Sequence, residues 1–233
     1  MSEKQKARAD ESEAIFATAQ YGDSVETHPF HSHFERPATV EVLPVLAGLH
    51  VLDAGCATGW YTEYLALQGA QVTALDLTPA MVEKTQARVP TATVIQADLL
   101  EPLPFSNESF DLVLSTLTLH YLENWQPTFA EFQRVLNPSG LLVFSVHHPF
   151  KEFDLSGTNY FEVEKRVRTG AAGTFSSYRR PISAVTETLH ATGFGVERLL
   201  EPVPTPAYRE ADPEGFAEMS CSPSLLLVRA RRT

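Results

Sequence analysis

The sequence predicts an α/β fold with a doubly wound, mostly parallel sheet, and three observations carry this prediction. A strand-like run, His50–Ala54, is followed at once by a glycine-bracketed turn at 55–59 and then by a helical pattern. Acidic residues, Asp76 and Asp98, close the next two strand-like runs. Strand and helix patterns then alternate as in a series of βαβ units. This layout favours a nucleoside cofactor bound across the carboxyl edge of the sheet.

The individual elements follow in chain order. The helix that begins near Thr58 ends at Gly69, a natural C-cap, while Thr78 caps the next helix and Pro79 fills its first position. Two later helices are predicted at 124–136, from a stripe of aromatic residues, and at 183–191. The predicted strands lie at 50–54, 71–75, 93–97, 110–115, 141–146, 196–200 and 225–230.

Two flanking segments complete the predicted organisation. Residues 1–34 are expected to form an N-terminal arm or helix that covers the cofactor site, and residues 35–233 the main domain. Within that domain, 150–181 lacks clear periodicity, but its Phe and Tyr residues argue against disorder. Because this insertion follows the fifth strand, we expect it to lie above the active edge of the sheet as a substrate cap.

Composition narrows the classes of function. The chain has 233 residues and 43% apolar content, which fits one α/β domain with additions. A net charge of −11 makes nucleic acid a poor partner, and no apolar run reaches the roughly 20 residues of a membrane span. We also expect no secretory signal. The two cysteines, Cys56 and Cys221, argue against a disulfide framework, so a cytoplasmic location is predicted. A monomer or a homodimer is expected.

A metal site is not expected. The three histidines His28, His31 and His33 lie close together, but no Cys or acidic residue stands near them at metal-ligand spacing.

The glycine turn allows more than one interpretation on its residues alone. A dinucleotide site requires G-x-G-x-x-G followed by an acidic residue about 20 positions on, and Asp76 satisfies only the second condition. Ala57 and Trp60 occupy the second and third glycine positions, where a Trp would block close helix–sheet packing. An ordinary strand-to-helix turn is the other alternative.

A resemblance to a known family explains more of these residues. Val51, Leu52, Asp53, Gly55 and Gly59 resemble the first motif of class I S-adenosylmethionine-dependent methyltransferases, with Ala57 in place of the usual middle glycine. Segments 110–115, 119–122 and 134–140 resemble the family's later motifs, so the likeness covers roughly residues 35–150. It implies a Rossmann-like sheet of seven strands in the order 3-2-1-4-5-7-6, with strand 7 antiparallel and helices on both faces.

The resemblance also implies roles for site residues. Asp53 and the loop would lie near the methionine part of the cofactor, Asp76 would hold both ribose hydroxyls, and Asp98 would accept a hydrogen bond from the adenine amino group. Ionised carboxylates only accept hydrogen bonds, so they suit these donors and would repel a ribose 2′-phosphate. The full predicted cofactor set is Tyr21, Asp53, Gly55, Cys56, Ala57, Gly59, Trp60, Asp76, Leu77, Met81, Asp98, Leu99, Ser115, Thr116 and Leu117.

Side chains near the ends of strands four and five would face the methyl acceptor. An oxygen acceptor commonly needs a general base, and His is the usual one near neutral pH. We predict His120 and His148 as catalytic, although a contact to the cofactor is an equal alternative for His120. Consecutive strand residues point to opposite faces, so at most one of His147 and His148 meets the substrate and the other packs. The residues predicted at the substrate site are Tyr121, His147, Phe150 and Tyr178.

The predicted function is therefore methyl transfer from S-adenosyl-L-methionine to oxygen or nitrogen of a small organic molecule, with S-adenosyl-L-homocysteine as product. The run Ser115-Thr116-Leu117-Thr118 lacks the acidic/Asn-Pro-Pro-aromatic motif used on nucleobase amines. Two other classes stay open: a catalytically silent protein that binds the same cofactor, and a nicotinamide oxidoreductase with an atypical loop.

Overall fold

The computed structural model describes residues 2–16, 25–151, 159–170 and 173–233. Seven of its strands form one sheet and two form a separate hairpin. The strands are β1 His50–Ala54, β2 Gln71–Asp76, β3 Thr93–Gln96, β4 Phe110–Thr116, β5 Leu136–His147, β6 Glu164–Gly170, β7 Gly173–Arg179, β8 Phe194–Leu200 and β9 Leu225–Arg232. The α-helices are α1 Glu3–Phe16, α2 Arg36–Val42, α3 Trp60–Leu67, α4 Pro79–Arg88, α5 Gln126–Val135, α6 Ile182–Ala191, α7 Pro206–Ala211 and α8 Pro213–Cys221.

The predicted sheet topology is confirmed. The strand order is β3-β2-β1-β4-β5-β9-β8, in which β1 to β5 run parallel and β9 is antiparallel to both β5 and β8. Once the hairpin β6–β7 is set aside, β8 and β9 are the predicted sixth and seventh strands. Because the first five strands are parallel, their carboxyl ends share one edge, where the side chains after each strand meet.

The sheet is buried on both faces, as a parallel sheet must be. Neighbouring residues of one strand enter different layers: Val51 of β1 packs with α2 and α3, whereas Leu52 packs with α5 and α6. Phe129 and Phe132 of α5 are fully buried in the second layer. Each such side chain contributes about 1.5–3 kcal/mol on burial, so the two layers hold the strand ends rigidly.

The segment predicted to be irregular contains a regular element. Within 150–181, β6 and β7 form an antiparallel hairpin whose register runs from Glu164 opposite Arg179 to Gly170 opposite Gly173. The Arg179 guanidinium stabilises the end of the hairpin where the two strands begin and finish. It donates hydrogen bonds to the carbonyl oxygens of Asn159 and Tyr160 and to the Glu164 carboxylate. The polar residues that form these cross-strand bonds interrupt any alternation of apolar residues in the sequence. The two strands were therefore not predicted. The role of the segment as a substrate cap remains a prediction.

No helix among the described residues combines the length and apolarity needed to cross a membrane.

Candidate cofactor and acceptor site

The main cleft of the described chain opens at the carboxyl edge of the sheet and encloses about 1070 Å³, its open mouth included. It joins the strand ends to the N-terminal segment that precedes β1. The predicted residues that line it are Gly55, Cys56, Ala57, Trp60, Asp76, Leu77, Met81, Asp98, Leu99, Thr116, Leu117 and Tyr121. The parallel strand order therefore gathers most of the predicted cofactor set, with Tyr121, around one cavity.

The glycine loop is built for close backbone approach. Gly55 has a φ of +90°, and a Cβ at this position would lie 2.3 Å from Oγ1 of Thr118. Gly59 has a φ of +83° and packs in the same way against Thr85. Ala57 also takes a left-handed φ of 48°, a conformation that its Cβ disfavours. The loop therefore needs glycine at both ends for packing.

Three residues predicted to contact the cofactor lie behind the cleft. Asp53 is buried and accepts a hydrogen bond from Thr62 Oγ1 at 2.6 Å. Burial raises the pKa of Asp53 to about 7, although the hydrogen bond from Thr62 opposes this rise. Ser115 Oγ donates to the Ala54 carbonyl oxygen at 2.8 Å, and Gly59 packs on α4. These residues hold the loop from below. Tyr21 lies outside the described residues.

Asp76 is held so that its carboxylate faces the cleft. Its Oδ2 accepts from Ala57 N and its Oδ1 from Thr78 N, each at 2.9 Å. Burial raises the pKa of Asp76 although these backbone donors oppose the change. Two backbone bonds fix the orientation of the group and leave lone pairs for hydroxyl donors, because each carboxylate oxygen accepts more than one hydrogen bond.

Asp98 has a partner that sequence patterns did not reveal. Arg8 of α1 donates from Nε to Asp98 Oδ2 at 2.7 Å and from Nη2 to Glu101 at 2.8 Å. Asp98 Oδ1 accepts from Leu100 N at 2.9 Å. Ser12 and Phe16 of α1 also line the cleft. The N-terminal helix thus packs directly on this end of the cleft.

The opposite end is formed by the segment before α2, which includes a π-helical turn over His31–Glu35. Such turns are rare and often occur at functional sites. Here the turn aims His31 and Glu35 into the cleft, and Arg36 follows with its guanidinium 4.4 Å from the Trp60 ring centroid. In the sequence, His31 was considered only as a metal ligand, and no pattern singled out Glu35 or Arg36 as site residues.

Glu35 is buried in a cage of hydroxyl groups. Its carboxylate accepts from Tyr61, Thr39 and Ser145 at 2.9–3.0 Å. Burial raises the pKa of Glu35, and the three hydroxyl groups oppose that change. The group therefore ties α2, α3 and β5 together beneath the cleft.

The predicted catalytic pair lies elsewhere. His120 and His148 line a second, smaller cavity of about 250 Å³, together with His147 and Tyr178. The rings of His120 and His147 stack with centroids 4.3 Å apart. The roles assigned to these residues remain predictions.

Both ring nitrogens of His148 have neighbours within the protein. Nδ1 accepts from Phe150 N at 3.1 Å, and Nε2 lies 2.8 Å from Glu201 Oε1. Burial lowers the pKa of His148 although Glu201 opposes this. Phe150 stacks on His148 and is half exposed. These contacts hold the His148 ring in place, and its role as a base remains a prediction.

No group of three or more His, Cys, Asp or Glu side chains in the described part of the chain is arranged to hold a metal ion.

The doubly wound sheet, the glycine loop and the two edge carboxylates together define an enzyme class that binds a nucleoside cofactor.

Comparison with known proteins matches part of the chain to one family. Residues 52–144 match the methyltransferase domain family. A malonyl-[acyl-carrier protein] O-methyltransferase from Erwinia billingiae is 34% identical over 54% of this chain, which spans only 51% of that relative. The solved structure of an S-adenosylmethionine-dependent methyltransferase from Mesorhizobium loti has a TM-score of 0.72 and 29% identity, covering 89% of this chain and all of that one.

A second solved structure shares the fold. The 1,6-didemethyltoxoflavin-N1-methyltransferase of Burkholderia thailandensis, which holds S-adenosylhomocysteine, has a TM-score of 0.67 at 22% identity and covers 100% of this chain and 91% of its own. These matches support a class I S-adenosylmethionine-dependent methyltransferase.

The residues of the cleft fit this cofactor. The carboxylate of Asp76, which accepts hydrogen bonds, matches ribose hydroxyl groups, and the apolar side chains of Leu77 and Leu99 match a flat purine.

Proposed function

We propose that the protein methylates an oxygen or a nitrogen of a small organic molecule. One observation carries this proposal: the cleft that gathers the cofactor residues at the strand ends is also lined by the apolar side chains of Phe16, Leu117 and Tyr121. A largely apolar cleft of this kind suits a small acceptor or the end of a carried group. The names of the relatives support this class, since one acts on a malonyl group and another on a small heterocycle.

Within this proposal the cofactor residues have separate tasks. Asp76 accepts hydrogen bonds from the ribose hydroxyls, Asp98 accepts one from the adenine amino group, and Met81 packs against the adenosine. Arg36 brings positive charge to the methionine end, where it suits the cofactor's carboxylate. The bound cofactor supplies a methyl group on a sulfonium, which an aligned nucleophile displaces.

The N-terminal helix and the smaller cavity complete the proposal. Helix α1 covers the adenosine end of the cleft, in line with the predicted arm. The bases predicted at His120 and His148, the cap at 150–181, the cytoplasmic location and the state of monomer or homodimer stay predictions.

Calorimetry with S-adenosylhomocysteine tests the cofactor site. We expect Asp76→Asn to weaken binding tenfold or more, because each charge-assisted hydrogen bond contributes about 1.5–3 kcal/mol. Asp10→Asn, an exposed change of the same type on α1, is the matched control and should bind normally. An unchanged affinity of Asp76→Asn for S-adenosylhomocysteine would contradict the proposed role of Asp76.

Turnover distinguishes an enzyme from the silent alternative. Incubation with methyl-deuterated cofactor and a panel of small acids, alcohols and amines, followed by mass spectrometry, should reveal a labelled product. Tight cofactor binding with no labelled product across the panel would favour a protein that only binds the cofactor.

A further inference from the structure

The hairpin β6–β7 is attached to the domain through β7, and one edge of β6 is left unpaired. On the β7 side, the Phe175 ring lies 6.3 Å from the Tyr121 ring, centroid to centroid. Arg180, directly after β7, donates to the carbonyl oxygens of Leu122 and Glu123 at 2.7 and 2.9 Å. In its two-stranded sheet β6 pairs with β7 alone. The other edge of β6 therefore presents backbone groups that no strand in the described part of the chain pairs with.

The side chains along this edge alternate between two environments. Val167 is 62% exposed, and Val163, directly before β6, is 48% exposed. Lys165 lies between them and is exposed as well. The side chains of Glu164 and Arg166, at the alternate positions, are 31% and 23% exposed. An exposed edge strand that carries apolar side chains favours pairing with a further strand.

The sequence of this edge is complementary to itself. It reads Glu162-Val163-Glu164-Lys165-Arg166-Val167-Arg168, with acidic residues before the central lysine and basic residues after it. When two copies lie antiparallel with Lys165 opposite Lys165, Glu164 lies opposite Arg166 and Val163 opposite Val167, each pair twice. Side chains directly opposite each other have Cβ atoms about 4.5–5.5 Å apart, close enough for ion pairs and apolar contacts.

Other registers lose this match. A shift of one residue places each valine opposite a charged residue. A shift of two places Glu164 opposite Glu164 or Arg166 opposite Arg166, and like charges directly opposite are destabilising. In the matched register the like-charged pair is Lys165 with itself, and the long, exposed side chains can turn their ammonium groups apart in solvent.

We propose that β6 is a dimerisation edge, on which a second copy of the chain pairs antiparallel with the two-fold axis at Lys165. The two hairpins then form one four-stranded sheet. Charge complementarity favours a second copy over a uniformly acidic partner, because such a partner meets Glu164 as well as Arg166, whereas a second copy meets each with its opposite. Since β7 packs on the turn that lines the cleft with Tyr121 and Leu122, the pairing also supports this wall of the cleft in both copies.

Cysteine cross-linking tests the register. A Cys221→Ser background removes the exposed native thiol. In it, Lys165→Cys places two thiols opposite each other on the axis, within the Cα separation of about 4.4–6.8 Å that a disulfide needs. Mild oxidation with copper phenanthroline should convert most of this variant to a covalent dimer.

The neighbouring position supplies the matched control. The two copies of Val163→Cys lie about 13 Å apart along the paired strands and should not cross-link with each other. A mixture of Val163→Cys and Val167→Cys should cross-link, because these positions face each other. Circular dichroism and thermal unfolding that match wild type check that each variant folds.

Sedimentation equilibrium across a concentration series measures the strength of the dimer. Wild type should reach twice the mass of the monomer. Val167→Lys should weaken the dimer about tenfold, because it alters two symmetry-related pairs, and Lys165→Thr should tighten it by removing the like-charged pair. Val203→Lys, at a position 72% exposed outside the hairpin, is the control and should match wild type.

Three results would overturn the proposal. The first is a wild type that stays monomeric at every concentration. The second is a dimer that Val167→Lys leaves as stable as wild type, which would place the interface elsewhere. The third is equal cross-linking of Lys165→Cys and Val163→Cys, which would indicate random collisions rather than one register.

Discussion

Arg8 and Asp98 join the N-terminal helix to the end of the cleft that we assign to adenine, through an Nε–Oδ2 hydrogen bond of 2.7 Å. The Asp98 side chain is almost fully buried, whereas Arg8 is about one quarter exposed. The Asp98 carboxylate, which is proposed to accept a hydrogen bond from adenine, therefore also anchors helix α1, which covers this end of the cleft. Helix α1 is therefore held over this end of the cleft by the Arg8–Asp98 contact.

Weakening this contact should speed cofactor exchange. In Arg8→Gln we expect both association and dissociation rates of S-adenosylhomocysteine to rise about fivefold, since a part-exposed ion pair contributes about 1 kcal/mol. Stopped-flow fluorescence measures both rates. Lys6→Gln removes the same charge from an exposed position on α1 and should leave them unchanged. Rates in Arg8→Gln equal to wild type would show that α1 does not gate the cleft.

The glycine loop should not tolerate a side chain at its first position. Gly55→Ala adds a Cβ that meets Thr118 at 2.3 Å and also carries a left-handed φ. Gly48→Ala is the matched control, because Gly48 has a φ of +81° but open space around it. We expect the control to cost about 1 kcal/mol of unfolding free energy and Gly55→Ala clearly more, measured by urea denaturation. Equal costs would mean that the loop shifts to accommodate the methyl group.

The hydroxyl cage around Glu35 should contribute to stability. Tyr61→Phe removes a donor 2.9 Å from the buried carboxyl group of Glu35 and leaves this acceptor with one partner fewer. We expect the free energy of unfolding at pH 7 to fall by about 1–3 kcal/mol. Tyr64→Phe, on the same helix, removes a hydroxyl from a residue that stacks on Trp60 and should change stability little. A Tyr61→Phe protein as stable as wild type would contradict the account of the cage.

His31 should make stability depend on pH in the acidic range. Its pKa is lowered to about 4 in the folded protein, whereas an unfolded His titrates near 6.5. The unfolded chain takes up the proton first, so this contribution is present above about pH 6.5 and is lost as pH falls through about 4. The two pKa values correspond to at most about 3 kcal/mol.

Urea denaturation between pH 7 and pH 4 checks this prediction. Wild type should lose up to about 3 kcal/mol more than His31→Gln over this range. His190→Gln, at an exposed position on α6, should behave as wild type. Parallel losses in wild type and His31→Gln would show that the His31 ring is not held neutral.

The sheet topology and the edge proposed to bind the cofactor could be predicted from the sequence because both depend on local patterns. Alternating strand and helix signals predict parallel strands, and parallel strands bring the residues that follow them to one edge. The positions of Asp76 and Asp98 at this edge could therefore be predicted from the sequence, whereas the roles proposed for them come from the family resemblance. The hairpin β6–β7 was missed because it lacks the alternation of apolar residues on which a strand prediction depends.

Both ends of the cleft depend on contacts that no local pattern encodes. Glu35 meets Ser145 across 110 positions of the chain, and Arg8 meets Asp98 across 90. Strand alternation predicted that His147 and His148 face opposite ways, but only packing decided that His148 meets Glu201.

The sequence by itself thus determined the fold class, the strand order that its family resemblance implies and the carboxylates of the cofactor edge. The tertiary structure alone decided which N-terminal side chains enter the cleft. The physical reason is that a helix or turn before the first strand carries its own backbone hydrogen bonds. Where such an element docks depends on distant side chains that become neighbours only when the chain folds.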